Sequence, residues 1–161
     1  MTVTIQPATP DQQPVLANLL ELYIHDFTEF VPKDVADDGR FGYNQLPFYW
    51  SNPLRRPYLA RLDGNWAGFA LVQKLADPGI WDMAEFFVLR RYRRSGLGTE
   101  FALRLWQTCP GPWQVRVRAA NAPAVSFWKA CIQTLTRTPP QSTTVELDNV
   151  PWHIFHFDSQ A

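Results

Sequence analysis

From Val15 to Phe27 the apolar residues Val15, Leu16, Leu19, Leu20, Tyr23, Ile24 and Phe27 recur every three or four positions, the spacing of one helix face. Asp11 stands where an N-cap belongs, and Pro14 falls in the first turn, where a missing N–H costs little. Ahead of this helix, Val3 to Ile5 alternates with Thr and predicts a short edge strand ended by Pro7 and Pro10. Between Glu29 and Pro57 neither period survives. Pro32, Gly39, Gly42, Pro47, Pro53 and Pro57 punctuate this stretch, while Phe41, Tyr43, Phe48, Tyr49 and Trp50 make it too aromatic for disorder. It predicts a partly helical cover over a cleft, with a short helix near Leu46 to Trp50.

Short apolar runs take over at Tyr58. Tyr58 to Leu62 and Trp66 to Val72 flank Asp63-Gly64-Asn65, a strong hairpin signal. A third run, Trp81 to Leu89, follows Asp77-Pro78-Gly79 and extends the sheet in antiparallel fashion. An arginine-rich turn then opens a helix from Gly98 to Cys109, and Pro110-Gly111-Pro112 breaks the chain before a strand from Trp113 to Arg118. A helix from Pro123 to Gln133 starts behind Asn121, and Thr143 to Leu147 and Trp152 to Phe157 read as the last strands. With the short helix counted, the pattern holds seven strands and four helices in a mixed α and β layout, without repeat or linker. The length fits a single domain over residues 1–161.

Composition narrows the function. Fifteen basic and fifteen acidic side chains cancel, which argues against a surface built for nucleic acid. Met1 to Ile5 lacks the charged-then-apolar pattern of a leader, and no run approaches the roughly 18 apolar residues of a membrane span. The expectation is a cytoplasmic protein with no membrane partner. Cys109 and Cys131 have no metal-type spacing and read as reduced, part-buried thiols. His25, His153 and His156 are scattered, so no metal site is expected.

The chemistry concentrates where the third run hands over to a helix. Val88-Leu89-Arg90-Arg91-Tyr92-Arg93-Arg94-Ser95-Gly96-Leu97-Gly98-Thr99 leaves a strand and enters a helix whose first amides lack intrahelical acceptors. Gly96 and Gly98 let an anion approach the backbone, and the amides from Arg94 to Thr99 form a concave nest with Arg93 beside it. The Lys and Ser/Thr of a Walker loop and the third glycine of a dinucleotide fingerprint are missing.

Arg93-x-x-Gly96-x-Gly98, five residues after Val88, resembles the acyl-coenzyme-A-binding motif of the GNAT superfamily of N-acetyltransferases. Asn121-Ala122-Pro123-Ala124-Val125-Ser126-Phe127-Trp128 is similar to that superfamily's later motif. Ala84-Glu85-Phe86-Phe87-Val88-Leu89, with Trp113-Gln114-Val115 and Phe127-Trp128, resembles a bacterial branch known mostly as predicted acetyltransferases. The resemblance implies an α+β fold with a mostly antiparallel central sheet, splayed between the fourth and fifth strands. Acetyl-coenzyme A is then the co-substrate. Its pantetheine arm pairs with the backbone of Phe87, Val88 and Leu89, and its pyrophosphate sits on the amides of Arg94, Ser95, Gly96, Leu97, Gly98 and Thr99. Asn121 lies near the cofactor, and Phe127 or Trp128 faces the thioester. The implied acceptor is a primary amine of a small molecule or of a protein, attacking directly in a ternary complex. Assembly stays open between a lone chain and a homodimer.

Glu85, ahead of the splay and flanked by apolar residues, is the first candidate for general base, with a structural or substrate-orienting acid as the alternative role. Asp82 is a second candidate on the same strand. Asp26, Glu29 and Tyr49 are candidates for acceptor contacts. Many members of the superfamily place a proton-donating Tyr where this chain has Trp128, whose alternative role is core packing on an amphipathic helix, and indole has no usable proton for the leaving thiolate. That leaves Tyr92 or solvent as the acid, or an unaided thiolate. It also leaves a non-catalytic acetyl-coenzyme A sensor as a second reading. A nucleic-acid binder using Arg90, Arg91, Arg93 and Arg94 is a third.

Overall fold

The computed structural model describes residues 1–76 and 79–160. β1 (Val3–Pro7) precedes α1 (Gln13–Phe27), and the single-turn α2 (Phe48–Ser51) sits in the predicted cover. The hairpin follows as β2 (Arg55–Leu62) and β3 (Asn65–Lys74), then β4 (Trp81–Val88) and α3 (Leu97–Thr108). β5 (Pro112–Arg118), α4 (Ala122–Thr136), β6 (Ser142–Leu147) and β7 (Val150–Asp158) complete the order. All strands join one seven-stranded sheet in the order β1-β2-β3-β4-β5-β7-β6, antiparallel except for β4 and β5. This is the expected mixed architecture.

Two local readings change. Asp11 does not cap α1. It lies within a 3₁₀ turn, Pro10–Gln12, whose N-cap is Thr9, and the Gln12 side chain accepts the Thr9 amide at 2.9 Å. Pro57 lies within β2 rather than in the cover. Its carbonyl accepts from Ala8 at 2.9 Å, and the Ala8 carbonyl, left without a proline donor, takes the Trp50 indole N–H at 2.9 Å instead. The Asp77-Pro78 part of the expected turn before β4 lies outside the described residues.

Helices cover both faces of the sheet. On one face Phe101, Leu105 and Trp106 of α3 and Trp128 and Ile132 of α4 pack on Ala70, Met83, Val115, Val117 and Phe155. On the other, Leu16 and Leu20 of α1 and Tyr49 of α2 pack on Leu59, Phe69, Leu71 and Phe87.

β4 and β5 touch only at their roots, where Trp81 pairs with Trp113 and Asp82 with Gln114. One face of this junction holds the stacked rings of Trp81 and Trp113, 6.0 Å apart. The other holds the fully buried carboxylate of Asp82. Arg116 donates to it from Nε at 3.1 Å and from a terminal nitrogen at 2.9 Å, while Gln73 and Gln114 add amide bonds at 2.7 and 2.9 Å. Three strands are clamped at one point, and beyond it β4 and β5 diverge. Arg116→Met should strand the buried carboxylate with amide donors alone. The expected cost is about 3–5 kcal/mol in urea unfolding.

Candidate functional site

The register of β3 against β4 slips where Leu71 faces Glu85 but Val72 faces Met83, so Ala84 is an extra residue in β4. Such a bulge reverses which residues share a face. Without it Glu85 would point with Trp81 and Met83 into the core under α3 and α4. With it, Glu85 shares the face of Asp82, Leu71 and Phe87, towards α1 and the aromatic cover.

There the carboxylate meets two phenols. Tyr23, at the C-terminal end of α1, donates to Oε2 at 2.6 Å, and Tyr43, in the cover, donates to Oε1 at 3.2 Å. Desolvation pushes the Glu85 pKa above the ordinary carboxylate value. The Tyr23 and Tyr43 hydrogen bonds and the Arg116 charge oppose that rise without cancelling it. Burial, reinforced by the Glu85 charge, also raises Tyr23 well above the usual phenol value and raises Tyr43, while burial lifts Tyr49 to about 12. These phenols remain protonated donors across the neutral range. Asp82 shares the face, but its four hydrogen bonds and Arg116 commit it to the strand junction.

The gap itself is lined by backbone. The Leu89 amide donates to the Ala67 carbonyl at 2.8 Å, so Leu89 and Phe87 direct their polar groups at β3. By strand alternation Val88 directs its own N–H and C=O the other way, towards β5. The Val88 carbonyl accepts from Arg93 Nε at 2.9 Å, and β5 is no longer in pairing range to take the amide. Gly68 lets the strands close here, since a Cβ on it would stand 2.2 Å from the Phe87 carbonyl oxygen.

At the end of β4 the chain passes a 3₁₀ turn, Arg90–Tyr92, and enters α3 through Gly96, the left-handed N-cap at φ +87°. Ser95 Oγ donates to the Tyr92 carbonyl at 2.6 Å and is approached by the Leu97 amide at 3.4 Å. The amides of Arg94, Ser95, Gly96, Gly98 and Thr99 have no acceptor among the described residues. Gly98 serves packing as well: a Cβ there would lie 3.1 Å from the Phe127 ring, and Val88 Cγ2 is 3.7 Å away. Phe127 therefore stands at the mouth of the gap. Trp128 does not. It is 6% exposed in the core, against Phe86 and Trp106.

Other sequence candidates fall as follows. Asp26, expected to meet a cationic acceptor, already holds Arg90 and Arg93 at 2.6 Å each. Partial burial alone would raise its pKa, but hydrogen bonds and charge from Arg93 and Arg90 hold it below the usual value. Two arginines of the basic run are thus neutralised. Glu29 is exposed in the turn after α1. Tyr49 is buried beside Arg55, whose guanidinium lies 5.4 Å from its ring centroid. Tyr92 packs near Val88 and Leu97. Asn121 caps α4, its Oδ1 accepting from Ala124 at 3.2 Å. Thr99 Oγ1 accepts from the Cys131 thiol, 3.7 Å away, which ties α3 to α4. Sequence reasoning missed the bulge, Tyr23 and Tyr43 as partners of Glu85, and the Asp82–Arg116 pair. Tyr23 carried a signal, because the one hydroxyl in an otherwise apolar helix stripe needs a partner. Tyr43 carried none. No helix among the described residues is long and apolar enough to cross a membrane.

Comparison with known proteins gives one family-model match. The model described as "Acetyltransferase (GNAT) family" matches residues 16–131. No curated protein sequence gives a significant match. Among solved structures, an acetyltransferase from Thermus thermophilus is similar with a TM-score of 0.71 at 17% identity, covering 98% of this chain and 97% of its own. An aminoglycoside acetyltransferase in complex with coenzyme A is similar with a TM-score of 0.71 at 18% identity, covering 99% and 96%. A Salmonella typhimurium protein solved with acetyl-CoA has a TM-score of 0.68 at 12% identity, covering 99% and 95%. These likenesses show a shared fold.

Tyr23→Phe should leave one side of the Glu85 carboxylate without its donor, at a cost of roughly 1–3 kcal/mol in denaturant unfolding at pH 8. It should also move the Glu85 titration further upward, read by carboxyl NMR. An unchanged titration would show that Tyr23 does not tune the acid.

Proposed function

Since the chain belongs to the acetyltransferase (GNAT) family, we propose that it transfers the acetyl group of acetyl-coenzyme A to a primary amine by direct attack in a ternary complex. The observation that carries this reading is the set of acceptor-free amides at the start of α3, next to the unpaired Val88 amide in the splay. The residues present fit the co-substrate. The amides of Arg94, Ser95, Gly96, Leu97, Gly98 and Thr99 would hold a pyrophosphate, and the Arg94 charge beside them suits that anion. The backbone of Phe87 to Leu89 lines the gap, and Phe127 and Asn121 bound it on the α4 side. Acetyl-coenzyme A would supply an acetyl group already activated as a thioester.

The rest falls to this chain's own groups. The Val88 N–H, directed into the gap, hydrogen-bonds a carbonyl oxygen that enters it. Glu85, with its pKa raised by burial, takes the proton of an incoming amine. Tyr23 and Tyr43 hold both of its oxygens in place. Trp128 gives no proton, being an indole buried in the core. A thiol pKa of roughly 8.5 lets a thiolate leave near neutral pH without a dedicated acid. Tyr92, packed beside Val88, is the phenol to substitute if one is needed. The non-catalytic sensor is the alternative reading, since Trp128 in the core leaves that motif position without a proton donor.

Acetyl-coenzyme A should raise the melting temperature, by the equivalent of about 2.7 kcal/mol at a hundred times its Kd. Gly96→Glu should abolish that stabilisation. In thiol-release assays over a panel of primary amines, Glu85→Gln should keep the stabilisation and lose about 10²–10⁴ in kcat. The acid limb of the wild-type profile, placed above the ordinary carboxylate range, should vanish with it. Full activity in Glu85→Gln would remove the base assignment, and no release from any amine beside normal cofactor binding would favour the sensor.

A further inference from the structure

One charged group on the acceptor side of the splay is unused by this reading. On β5, Trp113, Val115 and Val117 face the core, so Gln114, Arg116 and Arg118 alternate onto the face that carries Glu85. α1 and α2 cover that face over β2, β3 and β4, and the buried cluster they form includes no residue of β5 or β7. Arg116 is tied to Asp82. Arg118, two residues nearer the open end, has no ion pair or side-chain hydrogen bond among the described residues. Its Nε is sealed from water without an acceptor, and its guanidinium lies 5.0 Å from the ring centroid of Trp152, its register neighbour on β7.

With Nε closed off and the residue only half-buried, an incoming acceptor group meets the terminal nitrogens, which have no hydrogen-bond partner among the described residues. An aromatic face beneath the guanidinium holds its plane, and that planar fork matches the two oxygens of a carboxylate. The position is also apt. Counting from the Asp82–Gln114 pair, and allowing for the extra Ala84, Glu85 stands level with Arg116. Arg118 lies one dipeptide farther along β5, roughly 7 Å towards the mouth.

We propose that Arg118 anchors a carboxylate of the acceptor, so that the substrates are small amines that also carry a carboxylate. This rests on the acetyl-transfer reading above. With the amine at Glu85, the acceptor extends along β5 and its carboxylate meets the Arg118 fork over Trp152. An uncharged amine leaves that fork empty and gains nothing from it.

The test compares glycine, β-alanine and γ-aminobutyrate with their own carboxamides in thiol release, each rate expressed per unprotonated amine. At one or more chain lengths the acid should be preferred at least tenfold, chiefly through KM. Arg118→Gln should bring that ratio close to one, and Arg118→Lys should retain part of it. Stabilisation by acetyl-coenzyme A shows each variant to be folded. If turnover is too slow to rank the pairs, thermal shift of the coenzyme A complex with the N-acetyl acids and their amides reads the same ratio. A ratio within twofold at every chain length, or one that survives in Arg118→Gln, overturns the assignment while the acetyl-transfer reading stands. Absence of any acetyl-coenzyme A stabilisation overturns the parent reading and this one with it.

Discussion

The parting of β4 from β5 is the constraint from which the rest follows. Parallel neighbours in a sheet ordinarily satisfy each other's backbone along their length. Here the pairing ends after Asp82–Gln114, held at that point by a buried ion pair on one face and stacked indoles on the other. A rigid root is what permits an open end. Without it the strands would either zip together, consuming the Val88 amide, or drift apart and lose the spacing between the gap and the start of α3. A buried Asp–Arg pair is weak grounds for net stability. Its value here is positional, since it fixes where pairing stops.

On the acceptor side the same strand carries a second device, the extra residue Ala84. It turns Glu85 out of the core and under the phenols of α1 and the cover, so one irregularity in the ladder decides whether a carboxylate reaches Tyr23 and Tyr43. The long segment between α1 and β2 has little regular structure because its work is local. Glu21 of α1 accepts the amides of Phe41 at 3.0 Å and Gly42 at 3.4 Å, which pins the cover next to Tyr43. Asp26 does the corresponding work at the other end of α1, gripping Arg90 and Arg93 of the loop that leads to α3. One helix thereby positions both the cover beside Glu85 and the loop that enters α3.

Much of this was legible in the residues. The helix stripe from Val15, the Asp63-Gly64 hairpin and the strand–turn–helix unit around Gly96 each follow from local rules that tertiary packing did not override. What was not legible depends on pairing between distant segments. The polar residues of β4, Asp82 and Glu85, stand three apart and out of phase with a two-residue alternation, but which residue is extra appears only when β3 is laid beside them. Glu85 ranked ahead of Asp82 only for its place before the splay and its apolar neighbours. The partners that separate them, Arg116 and Tyr23, lie 34 and 62 residues away in sequence. Trp128 looked like a substituted catalytic residue because the motif names a position without saying which way its side chain points.

The central claim is that bared peptide amides at the entry to α3 hold the diphosphate of the co-substrate. Proton–nitrogen NMR during a titration with coenzyme A tests it most directly, because each amide reports separately. The account predicts large, saturable downfield shifts at Ser95, Gly96, Gly98 and Thr99, with smaller changes along the rest of α3. Unmoved resonances at these four positions in a saturated complex, with the major shifts elsewhere, would contradict it.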